Sequence, residues 1–439
     1  MSGLAKTGLK AVKWSTLTTV ARFALQLLAQ VVLARLLGPE VYGVFGLGMV
    51  VLTFATFVSN LGLGASLLYR ENISDRDIRF AFSWQMLAGA SASLCLWLAA
   101  PWVADFFHEP RAIDVVRWLG LTCLISSAGT VAGALAQRAL KFRQNGLIQV
   151  GSYALGYLGV GVPMALMGHT ISALVAAWLV QACTSTLALV WLQPHPMQPL
   201  FHYEGNRAAA AEGRNLMFTN VVNWLLGNID KVLVGRLMSA HSVGLYNVSF
   251  NLALMPSTML LGTLQPTLTA LYGQAKDDLP RVQAAYLQSL SLVGVLLLPA
   301  FVTLAVMAPD LLPLLYGNKW TDAGPILAVL FLTVPAYLAQ GVSTPLLWTF
   351  GRTLALDVRP LAPLLARSAG IAALTGAAAL LGQMLGRAAG SGGLIQLATP
   401  VVSVLSLHFT VWHLARWVYG EETLKFIFQI IASKTKKTS

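Results

Sequence analysis

The chain has 439 residues, of which 56% are hydrophobic and only 10% charged, with a formal net charge of +12. A soluble domain carries about a quarter charged residues, so this composition excludes a water-soluble protein and predicts a polytopic membrane protein. The basic residues lie between apolar runs rather than on one basic face, which excludes a nucleic-acid surface.

Apolar runs of spanning length, about 18 residues or more, fall at 14–37, 42–66, 80–101, 115–137, 147–167 and 171–192. They resume at 214–238, 243–266, 285–308, 324–350, 361–385 and 394–418. The pattern predicts an all-α fold of about 12 transmembrane helices in two six-helix lobes. The first run is too long for a signal peptide and is read as a membrane helix that also targets the chain. It carries Ser15, Thr19, Arg22, Gln26 and Gln30 at steps that place all five on one helical face. A polar stripe with a charge is unfavourable against lipid, so it should face protein or water. Between the second and third runs, Ser74 and Asp77 have the spacing of a capping box, with Asp in place of the usual Glu.

The break between the two sets, QPHPMQPLFHYEGNRAAAAEGR, is the one long Pro-rich polar connector. It sets the expected domains: an N-terminal lobe at 1–192, a cytoplasmic linker at 193–213 and a C-terminal lobe at 214–420. His195 and His202 within it lack metal-ligand partners and read as solvated loop residues. The tail 421–439 is basic and amphipathic, suited to an anionic membrane surface or to a frayed helical end.

Alternate connections on one side of the membrane hold 20 of the 29 lysines and arginines, and the opposite connections hold Arg111, Arg117, Lys319 and Arg387. The positive-inside rule then places both termini in the cytoplasm.

The two halves repeat. A shift of 201 residues superimposes VLARLLGPEVYGVF (32–45) on LVGRLMSAHSVGLY (233–246), pairing Arg35 with Arg236 and Gly43 with Gly244. Two units of the same topology imply a pseudo-two-fold axis along the membrane normal, with a substrate site between the halves and transport by rocking. The polar stripe recurs: Thr19 maps to Asn220, Arg22 to Asn223, Gln26 to Gly227 and Gln30 to Lys231, and Asp230 stands beside Lys231. Arg22, Lys231 and Arg367 are the cations expected within the membrane, where each needs an anion or water. Asp230 is either a charge partner, for Arg22 or for a neighbouring helix, or a coupling residue.

No catalytic constellation, cofactor motif or metal-ligand cluster is present, so no enzyme is expected. Cys95, Cys123 and Cys183 have neither metal nor disulfide spacing. The glycines of GVFGLGMV (43–50) suit close helix packing rather than phosphate binding. Pro163, Pro256, Pro266, Pro299, Pro335 and Pro345 predict bent helices.

The runs VLARLLGPEVYGVFGLGMVV (32–51), NLGLGASLLYRENISDRDIRFAFSW (60–84), NIDKVLVGRLMSAHSVGLYNVSFNLALMP (228–256) and LLPLLYGNKWTDAGPILAVLFL (311–332) resemble the polysaccharide transporter family of oligosaccharide flippases. The resemblance implies a flippase that moves undecaprenyl-diphosphate-linked oligosaccharide repeat units across the inner membrane by alternating access, driven by an ion gradient or membrane potential. It implies lipid-linked oligosaccharide and membrane lipids as partners, alongside polysaccharide polymerase and glycosyltransferases. Arg22, Lys231 and Arg367 would then contact phosphate or sugar acids, with Gln26, Gln30, Asn220 and Asn223 hydrogen-bonding sugars. Beyond Arg352 the resemblance weakens, which leaves open a C-terminal lobe shortened after 352. Two alternatives stand beside the flippase: a cation-coupled multidrug exporter of the same fold, and a non-transporting membrane scaffold subunit.

Overall fold

The structure, a computed structural model, describes residues 3–59, 67–68, 73–202, 222, 224–225, 227–275, 277–350, 361–388 and 398–405. These residues form helices and turns, with no strand among them. Asn220, Asn223, the side chain of Arg367, linker residues 203–213 and the tail 421–439 lie outside the described residues. Nine of the described helices are long and apolar enough to cross a membrane, so the chain is a multi-pass membrane protein. Two compact units emerge, Met1–Asn247 and Val248–Ser439.

In the first unit, α1 (Gly3–Leu37) and α2 (Pro39–Ser59) are joined by one residue. That residue is Gly38, held at φ 81°, where a glycine is favoured, and Pro39 then opens α2 with its ring already at a helical φ. α3 (Asp75–Phe107) starts at the expected capping box. Asp77 N–H donates to Ser74 Oγ at 3.3 Å, and Ser74 N–H donates back to the Asp77 carboxylate at 2.9 Å. α4 (Ala112–Arg138) packs antiparallel on α3 and also contacts α2. α5 (Phe142–Leu166) carries a π-helical stretch, Ala154–Gly161, just before Pro163. A wider turn there accommodates a ring that cannot donate to the backbone. α6 (Ile171–Leu192) closes against α4 and α5. Val44, Leu52, Leu96, Val115, Leu119 and Cys123 form an apolar cluster shared by α2, α3 and α4.

The chain after Leu192 does not leave the bundle at once. Residues 193–202 lie along the base of α3: Leu200 N–H donates to Ser83 Oγ at 2.7 Å, Arg79 to the Gln198 carbonyl at 3.2 Å, and Trp84 Nε1 to the Phe201 carbonyl at 3.1 Å. Lys141 ties down the start of this strap through Gln193 Oε1 at 2.8 Å. His195 is half-buried against the Phe82 ring, at 5.3 Å between centroids, rather than solvated.

The helix at residues 227–237, here α7, and the first two turns of α8 (Ala240–Gln274) also belong to this unit. α8 begins against α2 in a reciprocal crossing. A Cβ on Gly43 would overlap the Ala240 carbonyl, and a Cβ on Gly244 would overlap the Pro39 carbonyl. Positions 39 and 240, like 43 and 244, are mates in the sequence repeat. Each contact therefore repeats the other with the two segments exchanged, as in an isologous interface. Glycine at both positions is what lets the backbones meet.

In the second unit, α9 (Leu279–Tyr316) repeats the device of α5, with a π-helical turn at Val293–Leu297 immediately before Pro299. α10 (Ala323–Phe350) contains Pro335 and Pro345, and α11 (Leu361–Ala388) packs on α9. Polar ties join these helices: Gln383 Nε2 donates to Asp310 at 2.6 Å, and Gln265 Nε2 donates to the Gly341 carbonyl at 2.9 Å. Interhelical hydrogen bonds of this kind replace the hydrophobic drive that lipid removes.

Candidate functional site

On α1, Thr18, Ala29 and Leu33 are buried, so this face turns into the bundle. Arg22 lies within about 40° of all three around the helix axis at about 100° per residue, yet its side chain is exposed. The packing thus opens at Arg22, between the close approach of Thr18 to Gly146 of α5 and the buried turn at Ala29. Gln26 and Gln30 are half-buried one and two turns further on, and Gln30 Nε2 is buried without a hydrogen-bond partner among the described residues. Leu17, Val20 and Leu28 are exposed apolar residues on the opposite side, suited to lipid, and Leu36 is exposed at the end of the helix. Arg22, Gln26 and Gln30 therefore follow the inward side of α1, while Thr19 is exposed and the side chain of Ser15 lies outside the described residues.

The second stripe is arranged differently. Trp224, Asn228, Lys231 and Gly235 recur at steps of four, three and four, which makes one face. That face meets α2: Trp224 Nε1 donates to Thr53 Oγ1 at 3.0 Å, the Trp224 and Phe54 rings lie 4.8 Å apart, and Gly235 sits against Leu47 and Phe107. Lys231 Nζ donates to Asn228 Oδ1 at 3.0 Å, and Asn228 Nδ2 donates to the Trp224 carbonyl at 3.0 Å. Asp230 points elsewhere, accepting a short hydrogen bond from the Tyr246 hydroxyl of α8. The structure thus places Lys231 in a polar ladder with Asn228 and Trp224, and pairs Asp230 separately with Tyr246. Sequence reading had missed Trp224, Asn228 and Tyr246. The helical spacing 224–228–231 was the available signal for the first two.

A further charged cluster stands at the turns that join α1 to α2, α3 to α4 and α7 to α8. Arg111 bridges Glu40 at 2.8 Å and Glu109 at 2.7 Å. The Arg111 guanidinium, donating to Glu109, holds that carboxyl below its usual range. Arg236 donates to the Phe106 carbonyl at 2.7 Å and to His108 Nδ1 at 2.6 Å, with its guanidinium 5.2 Å above the Phe106 ring. Glu40, His108, Glu109, Arg111 and Arg236 line a cavity of about 370 Å³. The sequence showed Arg111 and Arg236 only as loop and helix-end charges.

No group of three or more His, Cys, Asp or Glu residues fit to hold a metal occurs among the described residues. The chemistry on offer is that of binding: cations, amides and hydroxyls inside apolar helices.

Residues 32–325 match the family model described as polysaccharide biosynthesis protein. The lipopolysaccharide biosynthesis protein WzxC of Escherichia coli is 24% identical over 324 residues, covering 72% of this chain and 65% of its own length. The succinoglycan biosynthesis transport protein ExoT of Rhizobium meliloti is 25% identical over 341 residues, covering 78% of this chain and 68% of its own. The chain thus spans about two thirds of the length of these relatives. The structure of the lipid II flippase MurJ in an inward closed conformation superposes with a TM-score of 0.61 at 12% identity, over 95% of this chain and 92% of that one. That likeness establishes the fold, and the family match over 32–325, which takes in the reciprocal crossing and the described part of the second polar stripe, shows that the chain belongs to the polysaccharide biosynthesis protein family.

Proposed function

We propose that the chain is a flippase for lipid-linked oligosaccharide repeat units in surface-polysaccharide biosynthesis, working by alternating access. The observation that carries this reading is the half-buried Lys231 on a polar ladder within family-matched sequence. A cation within a span is unfavourable by several kcal/mol unless it has polar or anionic company, and function is the usual reason that it is kept. A polyprenyl diphosphate is an anion that travels at membrane depth. Arg22, with its open inward position, supplies a second cation. Gln26 and Gln30 offer amides to sugar hydroxyls, and we assign the same role to Asn220 and Asn223. Arg367 is assigned to phosphate or sugar-acid contact. Asp230, hydrogen-bonded to Tyr246, is assigned to coupling or to charge balance.

The reciprocal crossing of repeat mates supports two six-helix lobes related by a pseudo-two-fold, with the N-terminal lobe at 1–192 and the C-terminal lobe from 214. The distribution of basic loops supports both termini in the cytoplasm of an inner membrane. The polymerase and glycosyltransferases that handle the same lipid-linked unit are the partners this role requires. The polar stripes offer few carboxylates to a cationic drug, which favours the oligosaccharide over drug export.

The test is complementation of a flippase-deleted host. The wild-type chain should restore surface polysaccharide, and Arg22→Ala and Lys231→Ala, made at normal levels in the membrane, should restore much less. Full restoration by both variants would remove these residues from the mechanism. Absence of restoration by the wild type in its own host background would remove the function.

A further inference from the structure

α4 and α6 both begin at the membrane surface where α5 ends, and a cavity of about 600 Å³ opens between them. All of it lies within the first unit. Its mouth is polar, formed by Arg111, Asp114, Thr170 and Ser172. Further along α6 the lining is apolar, formed by Val175, Ala176 and Leu179. From Ile171 to Leu179 the helix advances about 12 Å, so the lining changes from charged to hydrocarbon along the membrane normal. That gradient is the profile of a lipid seated with its headgroup at the surface and a chain between the helices.

The charges at the mouth select the headgroup. Arg111 is already shared by Glu40 and Glu109. Glu40 and Glu109 do not line this cavity, so its lining charges are balanced, the Arg111 guanidinium against the Asp114 carboxylate. A purely anionic headgroup would leave Asp114 facing like charge. A headgroup with both a phosphate and a primary ammonium matches the pair: N–H donors for the Asp114 carboxylate, and phosphate oxygens for the Arg111 guanidinium and the Thr170 and Ser172 hydroxyls. Thr170 makes no side-chain cap at the start of α6, so its hydroxyl remains available to such a ligand. Trp118, half exposed at 51%, has the amphipathic ring that settles at this level of a bilayer.

We propose that this cavity is a structural site for one glycerophospholipid of the phosphoethanolamine class, distinct from any transported substrate. The site does not depend on the chain being a flippase. The test uses the full chain, purified and exchanged into mixed vesicles of phosphatidylethanolamine, phosphatidylcholine and phosphatidylglycerol, then stripped in mild detergent and weighed by native mass spectrometry. The wild type should retain one phosphatidylethanolamine at least fivefold over either other lipid. Asp114→Asn, a conservative change at an exposed position, should cut that preference at least threefold without moving the melting midpoint. Ala176→Trp, which fills the cavity from a half-buried position, should abolish retention. Equal retention of the three lipids by the wild type overturns the proposal, and so does an unchanged preference in Asp114→Asn. Preferential retention of phosphatidylglycerol overturns the charge argument and with it the assigned class. If Ala176→Trp lowers the melting midpoint, Ser172→Trp at the mouth takes its place with the same expected loss.

Discussion

Replacing Gly43 with alanine should separate two helices that now touch backbone to backbone. The added Cβ would stand 2.6 Å from the Ala240 carbonyl carbon and closer still to its oxygen. Ordinary contact needs about 3.4 Å or more, and the nearer carbonyl oxygen sets the shift, so the start of α8 must retreat from α2 by more than about 1 Å. Ala240 offers no flexible side-chain end to yield, because the obstacle is main chain. The retreat reaches the neighbouring cluster of Leu47, Phe107 and Val243, which are 2%, 7% and 2% exposed. A gap of 0.5–1 Å forfeits about a quarter to a half of each dispersion well, and overpacking of this kind is destabilising by about 1–3 kcal/mol. The expected result is a melting midpoint several degrees lower in detergent, with the same loss for Gly244→Ala at the mated position. Gly262→Ala is the control, since nothing lies within 4 Å of its added Cβ. In a helix that change should be neutral or stabilising by about 0.5–1 kcal/mol. If Gly43→Ala and Gly262→Ala melt alike, the backbones do not meet where the reasoning places them.

Ser74→Ala removes the cap of α3 and should destabilise the protein by about 1 kcal/mol, read as a lower midpoint that Ser74→Thr largely avoids. Glu109→Gln weakens the bridge to Arg111 by a fraction of a kcal/mol, since the pair is partly exposed. Because the folded Glu109 titrates below the usual carboxylate value, its contribution is present at neutral pH and is lost as pH falls through that lowered value. The midpoints of wild type and Glu109→Gln should therefore differ at pH 7 and converge as pH falls below the usual carboxylate range. Burial lowers the pKa of His195, so protonation opposes the docked strap and stability falls as pH drops below about 6.5. His195→Leu should flatten the slope of midpoint against pH between about 5 and 7.

Most of the helices were legible because lipid demands long apolar runs and leaves little else to vary. The run at 80–101 shows how far that goes: the helix continues to Asp75 and Phe107, beyond the apolar window, because its ends stand in water and are set by the Ser74 box and the left-handed His108. The repeat was legible as matched letters at Gly43 and Gly244. That these two positions pack against each other's hairpins was not, because similarity at a distance of 201 residues carries no contact information. Arg22 was visible as a charge in a span, and its opening between Thr18 and Ala29 became visible only with burial. Glu40, Glu109 and Arg111 looked like loop charges because the turns that gather them are far apart in sequence. His195 looked solvated because the sequence around it is polar, yet the strap's hydrogen bonds to α3 draw it against Phe82.

The central claim is that the chain moves a lipid-linked glycan across the membrane. Its most direct test is the purified full chain in liposomes loaded with an undecaprenyl-diphosphate-linked repeat unit of the host's own surface polysaccharide. A membrane-impermeant enzyme that cleaves or oxidises the glycan reports which leaflet holds it. The account predicts leaflet exchange well above protein-free liposomes, strongly reduced in the Arg22→Ala, Lys231→Ala double variant. Exchange no faster than in protein-free liposomes, from protein whose melting midpoint shows it folded, would contradict it.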